Sequence, residues 1–193
     1  MNMTIKNYQD RAILTESRPT HLAMSADGLS AILGAAVVMA EILDQAKKTL
    51  FYGKTLDLNA FDLLTNDASR QLSRLRAISG SGQLNKVHQA TEIDLRKLHS
   101  AIGVFTEGGE LIEAVKSHLD GGALDNVNFS EEVGDVLWYC AIGADASATT
   151  LETIQETNIR KLEARFPDKF TGQSALNRDL ATERKILEDG CGK

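Results

Sequence analysis

LSAILGAAVVMAEILDQA, residues Leu29 to Ala46, decides the fold class. Leu29, Leu33, Ala36, Val37, Ala40, Leu43 and Ala46 recur at steps of three and four residues, the spacing that lines one side of an α-helix. Lys47 and Lys48 follow, where cations suit the negative end of the helix dipole, and Gly53 marks a stop. The run from Leu29 to Leu43 includes Glu41 and falls short of the roughly 20 residues a membrane span needs. A buried helix is therefore expected here, and no membrane association.

Outward from this stretch the same periodicity repeats, and no period-two strand pattern competes with it. A second helix is expected over Asn59–Ile78, followed by a flexible joint at Ser79-Gly80-Ser81-Gly82. A long third helix is expected from Lys86 to Leu119, ended by Gly121-Gly122. Asn128-Phe129-Ser130-Glu131 has the form of a capping box, so a fourth helix should start there and run through Trp138 to about Ala148. Thr149-Thr150-Leu151-Glu152 has the same form and opens a fifth helix, Leu151 to Arg165, which Pro167 prevents from continuing. A last, charged helix is expected over Ser174–Leu187. The result is an all-α helical bundle in one domain, 1–193, with an N-terminal hairpin at 20–80, a core at 86–170 and a C-terminal helix and tail at 171–193.

A faint internal repeat runs through this pattern. A displacement of 69 residues carries Leu29 to Leu98, Gly34 to Gly103, Glu41 to Glu110 and Lys47 to Lys116. After one deletion, a displacement of 68 carries Asp57 to Asp125, Phe61 to Phe129 and Asp67 to Asp135. Residues 29–72 read as a decayed copy of 98–140, with Val38 and Leu64 where the second copy has acids.

Composition bounds the function. At 42% apolar and 25% charged, the chain is too hydrophobic to be disordered. A net charge of -6 opposes a general nucleic-acid binder, which needs a basic face. Cys140 and Cys191 form neither a disulfide framework nor a metal-ligand spacing, and no apolar run follows a basic start at the N-terminus. A reducing, cytoplasmic setting is expected.

The chemistry gathers in Thr106-Glu107-Gly108-Gly109-Glu110-Leu111-Ile112-Glu113 and Ser130-Glu131-Glu132-Val133-Gly134-Asp135-Val136-Leu137-Trp138-Tyr139. Glu107 and Glu110 share one helix face by their spacing of three, and Glu132 and Asp135 do the same on the next helix. Four anions on facing apolar helices oppose one another's ionisation, and a hard, oxygen-binding cation such as Mg²⁺ removes the conflict. Gly108, Gly109 and Gly134 sit inside these pairs, and their cost to helix stability suggests a close approach at each.

The ExxE and ExxD pairs, their separation, and the Glu-Glu-Val-Gly-Asp-Val-Leu-Trp-Tyr around Glu132 resemble the MazG-like all-α nucleoside triphosphate pyrophosphatases. Asn158-Ile159-Arg160-Lys161-Leu162-Glu163-Ala164-Arg165-Phe166-Pro167 resembles the tail of phage and bacterial members, and Tyr8-Gln9 an N-terminal feature of some. The resemblance spans roughly 95–170. It implies Mg²⁺-dependent hydrolysis of a nucleoside or deoxynucleoside triphosphate to the monophosphate and pyrophosphate, with Mn²⁺ as a substitute ion. It makes Glu107, Glu110, Glu132 and Asp135 the metal ligands and catalytic residues, with Glu113 a further candidate. Substrate contacts are expected from Lys161, Arg165, Asn158 and Lys116, and base stacking from Trp138 or Tyr139. A homodimer or higher homo-oligomer is implied, because relatives often complete the bundle with a second subunit.

Two rivals stand beside this reading. A ferritin-like di-iron bundle needs Glu-x-x-His pairs, and none of His21, His88, His99 or His118 has a glutamate three residues before it. A non-catalytic helical interaction protein, its acids merely solvated, is the alternative that alanine at Glu132 and Asp135 would separate from an enzyme.

Overall fold

The computed structural model describes residues 7–86 and 94–191, without the side chain of Cys191. In chain order the helices are α1 (Tyr8–Ala12), α2 (Ala26–Tyr52), α3 (Leu58–Gly80), α4 (Leu95–Leu119), α5 (Asn126–Ala146), α6 (Leu151–Arg165), α7 (Gly172–Leu176) and α8 (Leu180–Cys191), with a 3₁₀ turn at Ile13–Thr15. The all-α expectation holds, with no strand among the described residues. They fall into two compact units: one from within 1–19, 91–160 and 185–193, the other from within 20–90 and 161–184.

The first unit is built on the hairpin of α4 and α5. Its close crossing is at Gly103, where an added Cβ would lie 2.0 Å from Tyr139 Cδ1, so only glycine lets the ring through. Nearby, Ser100 Oγ donates to the Tyr139 carbonyl at 2.8 Å, and a Cβ on Gly143 would lie 2.4 Å from that Oγ. Ala141, Ile142 and Ala144 are buried along α5. The glycines among the acids behave differently: added Cβ atoms at Gly108, Gly109 and Gly134 meet nothing within 4 Å among the described residues. The close approach expected at those three is instead at Gly103 and Gly143.

The N-terminal segment is fastened at three points, one at the start of α6 and two on this hairpin. Gln9 accepts the Leu151 N–H at 2.8 Å and donates to the Thr149 carbonyl at 3.0 Å, closing the start of α6. Trp138 Nε1 donates to Thr15 Oγ1 at 2.9 Å and to the Ala12 carbonyl at 3.2 Å. Arg96 forks onto Glu16 at 2.7 and 2.8 Å and also reaches Asp145 at 2.7 Å. Burial pushes the Glu16 carboxyl up, but its bonds to Arg96 and Arg18 outweigh that and hold it below its ordinary value.

In the second unit α2 and α3 form a like hairpin, with Gly34 facing Gln71: a Cβ there would lie 2.9 Å from Gln71 Oε1. α2 ends at Gly53, which takes the left-handed conformation at φ 69°. Glu183 ties the C-terminal elements together, receiving Arg165 at 2.7 and 2.8 Å and Arg178 at 3.2 Å. These arginines hold its carboxyl down to about 2.

The two hairpins share one register. The displacement of 69 carries the cap Ser25 and the first residue of α2, Ala26, onto the cap Asp94 and the first residue of α4, Leu95. The displacement of 68 carries Asp57 and Leu58 onto Asp125 and Asn126, the cap and start of α5. It also carries Gly53 onto Gly121, again left-handed at φ 96°. The crossing pair Gly34 and Gln71 maps onto Gly103 and Tyr139. The match thus extends beyond periodicity to the caps, the turn glycine and the crossing glycine.

Several boundaries differ from expectation. Asp94, not a residue near Lys86, caps α4 by accepting from the Arg96 and Lys97 N–H groups at 3.1 Å; Lys86 is not helical, and 87–93 lie outside the described residues. Asp125 caps α5 and takes the Asn128 N–H itself, at 3.2 Å, so the helix begins two residues before the expected box. An ionised oxygen at the positive end of the dipole outcompetes the asparagine. α6 has its expected bounds, but Thr150 accepts from Thr153, and Glu152 is out of register for a box. α3 runs on through Ser79 and Gly80, leaving Ser81-Gly82 as the turn. The last helix is two, because Asp179 accepts from both the backbone and the hydroxyl of Thr182 and starts α8 anew.

α2 is less covered than expected. It buries Gly28, Leu29, Ala31 and Val38, while Val37, Met39, Leu43, Leu50 and Phe51 are exposed. By length and composition alone it could cross a membrane, and 22% of its most apolar window is buried.

Gly103→Ala is expected to destabilise the protein by about 1–3 kcal/mol through overpacking against Tyr139, whereas Gly108→Ala should be neutral or stabilise by up to about 1 kcal/mol. Thermal unfolding of the two variants side by side checks this. Because the folded Glu183 carboxyl lies below its ordinary value, its contribution is complete above about pH 4.5 and is lost as pH falls toward about 2. Glu183→Gln should flatten that part of the stability profile in denaturant titrations across pH.

Candidate functional site

The crossing at Gly103 sets the site. Glu107 lies one turn beyond Gly103 on α4, and Asp135 and Glu132 lie one and two turns before Tyr139 on the antiparallel α5. Each of these three offers a carboxylate oxygen within 4.8 Å of the others. Glu132 is buried, Glu107 half-buried and Asp135 exposed, so the cluster opens to solvent on one side. Thr106 Oγ1 donates to Glu107 Oε1 at 3.2 Å.

The electrostatics carry the signature of crowded acids. The Glu132 carboxyl is pushed above its ordinary value by loss of hydration, then by the charges of Glu110, Glu107, Glu131 and Asp135. The Tyr139 phenol is raised by burial and by Glu107 and Asp135. The Tyr8 phenol is raised by burial and by Asp135, and its hydroxyl donates to the Gly134 carbonyl at 3.4 Å. All-oxygen donors with unrelieved negative charge suit a hard divalent cation.

The other sequence candidates distribute as follows. Glu110 is exposed and outside the group of three, though its charge is felt at Glu132. Glu113 and Lys116 line an open groove along α4, where Lys116 pairs with Asp120 at 2.6 Å. Trp138 spends its N–H on the N-terminal segment, and Tyr139 is wedged at Gly103; with His99 the two rings form an edge-to-face cluster at 4.8 to 5.9 Å. His99 Nδ1 is buried there without a hydrogen-bond partner among the described residues. Asn158 is half-buried on α6 in the acids' unit, while Lys161 and Arg165 belong to the second unit. Arg165 is bound to Glu183.

Sequence reasoning missed Tyr8 as a neighbour of Asp135 and Gln9 as the cap of α6. Both come from far along the chain, and only the resemblance at Tyr8-Gln9 hinted at them.

A helical hairpin presenting converging carboxylates to solvent defines a candidate cation site. Residues 99–170 match the family model of the MazG nucleotide pyrophosphohydrolase domain, a span that takes in Glu107, Glu132, Asp135 and all of α6. Over these residues the chain is similar to that domain. No curated protein and no solved structure matches it.

Glu132→Gln or Asp135→Asn is expected to weaken Mn²⁺ binding at least about tenfold, and Glu110→Gln distinctly less. Titration of free Mn²⁺ by electron paramagnetic resonance reads the difference.

Proposed function

We propose that the chain hydrolyses a nucleoside or deoxynucleoside triphosphate to the monophosphate and pyrophosphate in a Mg²⁺-dependent reaction, with Mn²⁺ able to substitute. The observation that carries this is the convergence of Glu107, Glu132 and Asp135 from separate helices inside the MazG match. These three would hold the cation, with Glu110, one turn from Glu107, as the fourth carboxylate. When bound, Mg²⁺ neutralises phosphate charge and makes water a better nucleophile near neutral pH.

The protein's own share is positioning and charge. Ionised Glu107, Glu132 and Asp135 repel a bare triphosphate, which makes the chain select the metal-bound form of its substrate. One of the glutamates would also polarise the attacking water. Tyr8 and Tyr139 flank the cluster and keep their protons at neutral pH, adding no further negative charge. Asn158, on α6 in the same unit as the acids, is assigned to contact with the sugar or with metal-bound water.

The reading includes a homodimer or higher homo-oligomer. Ile102, Phe105, Ile112 and Val115 on α4 and Val133 and Leu137 on α5 are exposed, an apolar face that a second copy would cover. A strictly monomeric, fully active species in light scattering at micromolar concentration would remove this part.

Product analysis tests the reaction. Each common NTP and dNTP, with Mg²⁺ and with EDTA, is incubated with the protein and resolved by anion exchange. Monophosphate plus pyrophosphate, abolished by EDTA and by Glu132→Gln, is the expected result. Diphosphate plus phosphate would overturn the cut site, and no turnover on any nucleotide would favour the non-catalytic alternative.

A further inference from the structure

The second unit contains a cavity of about 490 Å³ whose walls carry Lys47, Lys48, Lys54, Arg165 and Arg178. It lies at the C-terminal end of α2, where α7 presses so closely that a Cβ on Gly172 would lie 2.5 Å from the Tyr52 carbonyl oxygen. In a chain of net charge -6, five cations around one hollow need a cause.

Internal pairing accounts for only part of it. Asp44 is shared by Lys47, at 2.6 Å, and Lys48. Glu183 is shared by Arg165 and Arg178. Lys54 has no side-chain partner among the described residues, so two carboxylates serve a ring of five cations. Unrelieved like charge around a concave volume is the inverse of the acid cluster, and a diffusible anion relieves it.

The lining also indicates which anion. The donors that Arg165 and Arg178 keep beyond Glu183, with three ammonium groups, are spread across the cavity wall and suit several phosphate oxygens at once. Tyr52 is the aromatic residue of the lining, and its ring is already engaged with Phe170 at 5.5 Å between centroids. The wall therefore supplies charge recognition and little for a base.

We propose that this cavity is a metal-independent binding site for an oligophosphate group, either inorganic pyrophosphate or the phosphate tail of a nucleotide. It uses none of the carboxylates assigned to the reaction, so it stands apart from that assignment. Arg165, which the sequence suggested for outer phosphates, becomes one member of a larger cationic set that includes the end of α2.

The test is isothermal titration calorimetry on the full chain in EDTA, with inorganic pyrophosphate as the probe. Saturable binding is expected, weakened at least about tenfold by Lys54→Gln with Arg178→Gln. It should be retained by Lys54→Arg with Arg178→Lys and by Glu132→Gln. The charge-conserving pair guards against a folding defect, which circular dichroism reads directly. A nucleoside triphosphate binding more tightly than pyrophosphate names the nucleotide as source; equal affinity names pyrophosphate alone. No binding at millimolar pyrophosphate would overturn the proposal, as would indifference to the Gln pair or a nucleoside monophosphate binding equally well. Binding that needs Mg²⁺ and vanishes in Glu132→Gln would overturn it too, while leaving the hydrolase reading intact.

Discussion

The crossing of α4 and α5 at Gly103 and Tyr139 is the contact on which the acid cluster depends. The ring occupies the volume a Cβ would take, which locks the two helices at one register and one short separation. With that register fixed, one turn along α4 and one to two turns back along α5 bring Glu107 opposite Asp135 and Glu132. A slip of a single residue would turn one acid pair by about 100° and disperse the group. The glycine next to the acids is thus less important than the one a turn away from them.

The same crossing recurs at Gly34 and Gln71, with different consequences. One turn beyond Gly34 stands Val38, buried, and two turns before Gln71 stands Leu64. The caps and crossing glycine are retained where Val38 and Leu64 replace two of the four acids, Glu41 and Asp67 being the other two. An apolar pair at these positions packs without a counter-ion, whereas acids require one. The comparison separates the requirements of the hairpin, which are a small residue at the crossing and acidic or hydroxyl caps, from the requirements of the chemistry.

Charge is handled in opposite ways in the two units. In the first, Glu107, Glu132 and Asp135 are brought together with no ion pair to a lysine or arginine among the described residues. In the second, two carboxylates are each spanned by two cations, Asp44 by Lys47 and Lys48 and Glu183 by Arg165 and Arg178. Structural ion pairs such as Glu16 with Arg96 lie between these extremes: part-buried, forked and satisfied, they fasten the N-terminal segment rather than attract a ligand.

The sequence by itself determined the all-α class, the extents of α2, α3 and α6 to within a few residues, and the two acid pairs on successive helices. These follow from local physics: a period of 3.6, left-handed glycines and spacing of three along a helix. Helix starts were less legible where two capping residues compete, since Asp125 and Asn128 are both plausible and the charged one wins. Only the tertiary structure decided which carboxylates converge, why Gly103 rather than Gly108 must lack a side chain, and that Trp138 anchors the N-terminus. It also gathered the end of α2 and Arg178 around one cavity. Each of these joins residues far apart in the chain, and no periodicity along a single helix encodes the distance between two of them.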